Sequence, residues 1–240
     1  MTGRTGALAV LLVCGGTAMA DVRPEGLIGH WSFDGCDGKI VKDRSGSGND
    51  GVIVSGTLHS EKGATALALN GVDDGHVRVE LKQPLRLSEA ITSVFWFRAE
   101  RLRTDTVLFG IPNANPDWTT PVFGLSAKGG HAVYGQFGAK GVSKALVETR
   151  SPVPLNQWVC IAATSDGDTV RLYVNGAPDA ELKQRAVLAF NGHPLLIGAG
   201  LGRKPSLRGR VGELLLFNRA LSPEEIHSLF EERCMAYGWT

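Results

Sequence analysis

Trp158–Gly176 reads WVCIAATSDGDTVRLYVNG, and it constrains this chain more than any other stretch. Apolar residues run unbroken from Trp158 to Ala163. After the dipeptide Asp166-Gly167 a second run alternates, with Val170, Leu172 and Val174 set against Arg171, Tyr173 and Asn175. Asp-Gly between two β-prone runs favours a two-residue turn whose twist matches the strands it joins, and Asn175-Gly176 repeats the signal. The pattern predicts a hairpin. Its first strand should be covered on both faces and its second should have one dry face and one wet face. Such a pair belongs in the interior of an antiparallel sandwich.

The first twenty residues are of another kind. Arg4 precedes the apolar run Ala7–Val13, and Ala18-Met19-Ala20 ends on a small-x-small pattern ahead of Asp21, the layout of a cleavable export signal. The expectation is a signal peptide over 1–20, one β domain over 21–240, and a secreted or periplasmic location. Val13 before Cys14 departs from the small residue that a lipoprotein signal needs. No apolar run reaches the roughly 20 residues that span a bilayer.

The whole chain carries 25 basic and 24 acidic residues, and loss of Arg4 with the signal leaves 24 of each. A neutral chain without a run of one sign points to neither nucleic acid nor an anionic membrane surface as partner. Cleavage also leaves three of four cysteines, Cys36, Cys160 and Cys234. Cys160 lies in the apolar hairpin strand, where a thiol acts as a small hydrophobe. A Cys36–Cys234 disulfide would close the two ends of the domain and restrict the unfolded chain; unpaired buried thiols are the alternative.

Along the chain, Leu27–Asp34 alternates as a first strand, with Trp31 and Phe33 on one face and Ser32 and Asp34 on the other. Asp43–Gly51 is loop by composition. Short strands are expected at 52–54, 66–69, 76–81, 91–97, 106–111, 122–126, 131–137, 194–198 and 211–217, with a charged segment over 98–105 and a basic loop over 200–209. Three prolines keep 112–121 out of a sheet interior. Ser222-Pro223-Glu224-Glu225 supplies an N-cap hydroxyl, a proline at the first helical position and a glutamate three residues after the cap. A helix follows, with Ile226, Leu229, Phe230 and Cys234 on one face and Leu221 stapled to Ile226.

Several of these segments together resemble the LamG-like jellyroll domains of the concanavalin A-like lectin/glucanase superfamily. They are Trp31-Ser32-Phe33-Asp34, Asp43–Gly51, Leu67-Ala68-Leu69-Asn70-Gly71 with Asp73-Asp74, Trp158–Thr164, Arg171–Gly176 and Leu215–Ile226. The resemblance implies an all-β fold, a jellyroll sandwich of two antiparallel sheets with one short C-terminal helix. It also implies a structural calcium, for which Asp34, Asp43, Asn49 and Glu213 are the candidate ligands. The family's closing strand usually begins with an Asp pair where this chain has Gly212-Glu213. Asp43 and Asn49 could instead make the turn by bonding their own backbone, and Asp73 and Asp74 are either a second ligand pair or turn formers.

Sugar recognition would need exposed aromatic faces with amides and charges beside them. Trp118 with Asn113, Asn115 and Asp117 is the leading candidate, and Tyr134 and Gln136 form a second; Trp118 capping the edge of the core is the alternative. Trp31, Phe33, Trp96 and Trp158 are assigned to the core. No paired-carboxylate strand motif of the superfamily's glucanases, no His-Glu-x-x-His, no Gly-x-Ser-x-Gly and no P-loop occurs. The reading is therefore an exported, non-catalytic module for an extracellular glycan, bound on the concave sheet or near Trp118. A protein-interaction or adhesion module is the second reading, and a hydrolase or lyase the third.

Overall fold

The computed structural model describes residues 24–61, 64–71, 75–82, 90–112, 121–137, 144–185, 192–199 and 206–238. Along them run β1 (Leu27–Ser32), β2 (Ile40–Val41), β3 (Gly51–Ser55), β4 (Thr57–Glu61), β5 (Ala64–Asn70), β6 (His76–Val79), β7 (Ile91–Arg101) and β8 (Val107–Pro112). After these come β9 (Pro121–Lys128), β10 (His131–Phe137), β11 (Lys144–Glu148), β12 (Trp158–Ser165), β13 (Thr169–Val174), β14 (Ala177–Lys183), β15 (Leu195–Ile197), β16 (Arg208–Phe217) and α1 (Pro223–Cys234). The first sheet is ordered β14-β13-β12-β7-β16-β5-β4, with β1 also on β16; the second is ordered β11-β10-β9-β8-β15-β6-β3-β2. Two antiparallel sheets and a terminal helix make the jellyroll sandwich.

The hairpin forms as its residues dictate. β12 and β13 pair with Ile161 opposite Val174 and Ser165 opposite Val170, and Asp166 Oδ1 closes the turn by accepting the N–H groups of Asp168 (3.1 Å) and Thr169 (2.8 Å). Asn175 and Gly176 take φ of 51° and 77°, the left-handed pair that a two-residue turn of this type requires. On β12, Val159, Ile161 and Ala163 face the core between the sheets, while Cys160 and Ala162 belong to a second apolar cluster on the outer face of the first sheet. The expected wet face of β13 is wet at Arg171, which is half-buried and paired with Asp166 and Glu181, but not at Tyr173, which is buried in that second cluster because α1 lies over it.

The helix starts at its expected cap. Ser222 Oγ accepts the Glu225 N–H (3.2 Å) and the Glu225 carboxylate accepts the Ser222 N–H (2.8 Å), closing a capping box. Leu221 and Ile226 are both buried in the second cluster, with Leu229, Phe230 and Cys234 packed against it. The Arg219 guanidinium grips the same glutamate with two N–H groups at 2.9 and 2.6 Å. That hydrogen bonding holds the Glu225 carboxyl down at about 2, against an ordinary value of 4.5. A depressed folded-state value stabilises above the unfolded-state value, so this contribution is expected to fade as pH falls from the ordinary value towards the depressed one. Glu225→Gln should flatten that part of a pH-resolved thermal melt.

Several expectations are corrected. Cys36, Cys160 and Cys234 are free thiols. Cys36 packs against the core between the sheets and Cys234 against the cluster outside the first sheet, so that sheet separates them. Their Sγ atoms instead lie near carbonyls, Cys36 at 3.2 Å from Ile40 O and Cys234 at 3.2 Å from Glu231 O. The charged segment at 98–105 begins inside β7, which runs on to Arg101, and the basic loop ends inside β16, which starts at Arg208. β2, β4, β11 and β14 are strands that the sequence pattern did not announce.

Candidate ligand-binding cleft

Asn113, Asn115, Asp117 and Trp118, with Asp73 and Asp74, lie outside the described residues. Tyr134 and Gln136 are corrected: both are 0% exposed. Tyr134 belongs to the core between the sheets, and Gln136 Nε2 donates to its hydroxyl at 3.2 Å. Neither is available to a sugar, and burial pushes the Tyr134 hydroxyl well above its ordinary value. Their strand mate Gly135 sits in a transverse row on the opposite face, where Leu196 pairs with Gly110, Gly110 with Gly124, and Gly124 with Gly135. A Cβ on Gly124 would stand 2.3 Å from Phe109 O.

The four candidate calcium ligands do not come together. Asp43 Oδ1 accepts the N–H groups of His30 (3.1 Å) and Ser45 (2.9 Å), and Oδ2 accepts that of Asn49 (3.0 Å). Asn49 Oδ1 takes the Lys82 N–H at 3.1 Å and Asp34 Oδ1 the Thr65 N–H at 2.6 Å. Among the described residues no three His, Cys, Asp or Glu side chains are grouped to hold a metal. Calcium seeks six to eight oxygens. These oxygens are already committed to N–H donors and Glu213 faces two basic side chains, so the set as placed does not fit the ion. Asp43 and Asn49 make the loop.

Glu213 has other company. Its bulge at Gly212 places it opposite Trp96 on β7 and opposite Ser32 on β1. A Cβ on Gly212 would stand 2.6 Å from the Tyr237 hydroxyl, so the glycine that replaces the family's usual acid leaves room for that ring. Glu213 is 2% exposed. His30 Nε2 lies 3.0 Å from Oε2, and Arg233 Nε lies 3.3 Å from Oε1. The guanidinium attracts by charge but is not aligned to donate, so Oε1 is buried without a hydrogen-bond partner. The indole Nε1 of Trp96 is buried and unpartnered as well, while its ring is stacked on Phe230 (5.4 Å) and Tyr237 (4.6 Å).

A cleft of about 340 Å³ opens between α1 and this face of the sheet, at the small end of the range for ligand pockets. Leu27, Val94, Leu215 and Leu229 form apolar walls; His30, Arg44, Trp96, Glu232 and Arg233 supply polar groups. Buried polar atoms are nearly always satisfied, so an orphan N–H and an orphan carboxylate oxygen on paired residues need explaining. A group that both donates and accepts, as a hydroxyl does, answers both. The nearby thiol and phenol are poor nucleophiles: burial first, and then the charge of Glu213, push both Cys160 and Tyr237 well above their ordinary values. Sequence patterning had placed Trp96 in the core, where its ring is; the bulge that sets Glu213 beside it leaves no mark in strand periodicity.

The Laminin_G_3 family model of the concanavalin A-like lectin/glucanases superfamily matches residues 70–227. The chain belongs to this superfamily. Among its relatives, serum amyloid P-component of Bos taurus is 24% identical over 99 residues, 38% of this chain and 44% of that protein. The binding domain of Paraclostridial Mosquitocidal Protein 1 superposes with a TM-score of 0.69 at 18% identity, over 86% of this chain and 52% of that one. Domain 4 of AbnA, a GH43 extracellular arabinanase from Geobacillus stearothermophilus solved in complex with arabinotriose, superposes with a TM-score of 0.64 at 23% identity, over 85% and 97%. The chain therefore spans about half or less of the first two. At these identities the solved structures speak for the lectin/glucanase fold alone.

Proposed function

We propose that this chain is an exported, non-catalytic binding module for a glycan, and that the cleft beneath α1 takes one sugar residue of it. The observation that carries the reading is the pair of unpartnered buried atoms, Trp96 Nε1 and Glu213 Oε1, on facing strands. Sugar hydroxyls would accept from the indole and donate to the carboxylate, with Arg44 as a further donor and the leucine walls against the ring carbons. The solved complex of an arabinanase domain of the same fold with arabinotriose supports the ligand class.

The test is a glycan array with wild type, Trp96→Phe, Leu229→Trp and Trp118→Ala. Trp96→Phe keeps a ring in place and removes one hydrogen bond of about 1 kcal/mol, so affinity should fall roughly 5-fold. Leu229→Trp fills the cleft and should abolish binding. If both variants bind like wild type while Trp118→Ala does not, the sugar sits at the 113–120 segment and the cleft assignment fails. A glycosidase would need two carboxyls across the scissile bond, and Glu213 and Glu232 are the two at hand. Release of reducing ends from polysaccharides above background would overturn the non-catalytic reading.

The second reading is a protein-interaction module. It draws on Ile40, Val52 and Val54, which stand 48%, 43% and 45% exposed on neighbouring strands β2 and β3. An array with no positive glycan would favour it.

A further inference from the structure

At one end of the first sheet, two strands and the loop after one of them bring basic side chains together. Arg208 on β16 pairs directly with Arg101 on β7 and, on its other side, with Asn70 on β5. Like charges directly opposed across a ladder destabilise a sheet unless something answers them. Arg103 joins this pair around a small recess of about 50 Å³, completed by Asn70, Gly71, Thr106 and Ser206. Gly71 has φ of 76°, and a Cβ there would come within 2.7 Å of Arg208 Cβ, so the glycine lets the turn close down on the arginine. Thr106 and Ser206 are buried. Among the described residues, the acidic group that meets these guanidiniums is Glu100, whose Oε2 lies 3.5 Å from Arg208 Nε, with both side chains more than half exposed.

We infer that this recess binds a compact oxyanion, a sulfate or phosphate group. The recess has room for a group or two of water size, about 30 Å³ each, and is too small for a sugar ring. Guanidiniums present several N–H donors in a planar fork that suits tetrahedral oxyanions, and the opposed Arg101–Arg208 pair gains most from a shared anion. Exposure of the arginines keeps each ion pair weak and the binding salt-sensitive. The oxyanion could be free or an ester on a larger molecule. The site is separate from the α1 cleft, and its test does not depend on the glycan reading.

Thermal melts and calorimetry of the full chain would compare sodium sulfate and sodium phosphate with sodium chloride at equal ionic strength. Sulfate and phosphate raise the melting point of any folded chain somewhat, by exclusion from its surface; wild type should gain more than Arg101→Gln and Arg208→Gln do, and calorimetric sulfate binding should vanish in both variants. In chloride, Arg101→Gln should be no less stable than wild type, since it relieves repulsion; a loss of fold there would overturn the opposed-charge premise. A sulfated oligosaccharide that binds at least 10-fold tighter than its unsulfated form and than free sulfate assigns the anion to an ester. Equal affinity for the sulfated oligosaccharide and free sulfate assigns it to the free ion. An equal gain in wild type and both variants overturns the inference. So does sulfate binding seen only in the Asp73→Asn/Asp74→Asn variant, which would mean that the chain's own acids fill the recess.

Discussion

Trp96→Ala should lower the stability of the folded chain by about 3–5 kcal/mol, as large-to-small changes of buried aromatics do. The side chain is 0% exposed and stacks on Phe230 and Tyr237, so its loss opens a cavity and strips two partners at once. For a domain of this size that corresponds to a thermal midpoint lower by roughly 10 °C. Trp96→Phe separates the two roles of the residue. It should keep most of the stability and lose the indole N–H, so a fall in glycan affinity without a comparable fall in melting temperature is the outcome that fits. If Trp96→Ala melts within a degree or two of wild type, the packing of α1 on the sheet is not what the described contacts make it.

Gly124→Ala is the second large effect. The added methyl would stand 2.3 Å from Phe109 O and 2.7 Å from Gly110 Cα, both backbone atoms in the neighbouring strand. A side chain can turn aside, but a ladder can only be pushed apart. The expected cost is about 3 kcal/mol or more, at the upper end for overpacking, read as a lower denaturation midpoint with an unchanged slope. Gly35→Ala is a control of opposite character, because nothing lies within 4 Å of its added carbon, although its φ of 69° keeps some backbone strain.

What was legible in the sequence was what local chemistry decides. Asn175-Gly176 announced one turn because few residues take its left-handed angles, Asp166-Gly167 the other because Gly167 takes such an angle and the Asp166 carboxylate accepts the turn's N–H groups, and Ser222-Pro223-Glu224-Glu225 announced the helix because its side chains satisfy its own first N–H groups. The strands that went unread, Thr57–Glu61, Lys144–Glu148 and Ala177–Lys183, are short segments that mix polar and apolar residues; all three lie at sheet edges, where pairing completes what the local pattern leaves weak. Tyr173 was misread because alternation shows which residues share a face, not whether a distant helix covers it. Tyr134 and Gln136 were misread for the converse reason, since polar tips on an inward face look like a solvated one. Asp43 shows how family likeness can mislead: the acid is where a ligand would be, and three N–H groups already occupy it. No residue lining the cleft was singled out beforehand as a binding group; Glu213, paired with Trp96 beside it, was singled out for another task.

The double lining of the first sheet bears on how the protein can be handled. Val94, Trp96, Tyr173, Leu215 and Phe217 are dry only because the last turns of the chain lie on them. A version trimmed at Ala220 would present that surface to water as a broad greasy plate, and two such molecules would cover each other sooner than stay apart. Shortened recombinant versions that stop before α1 should precipitate or elute as aggregates, however intact their strands.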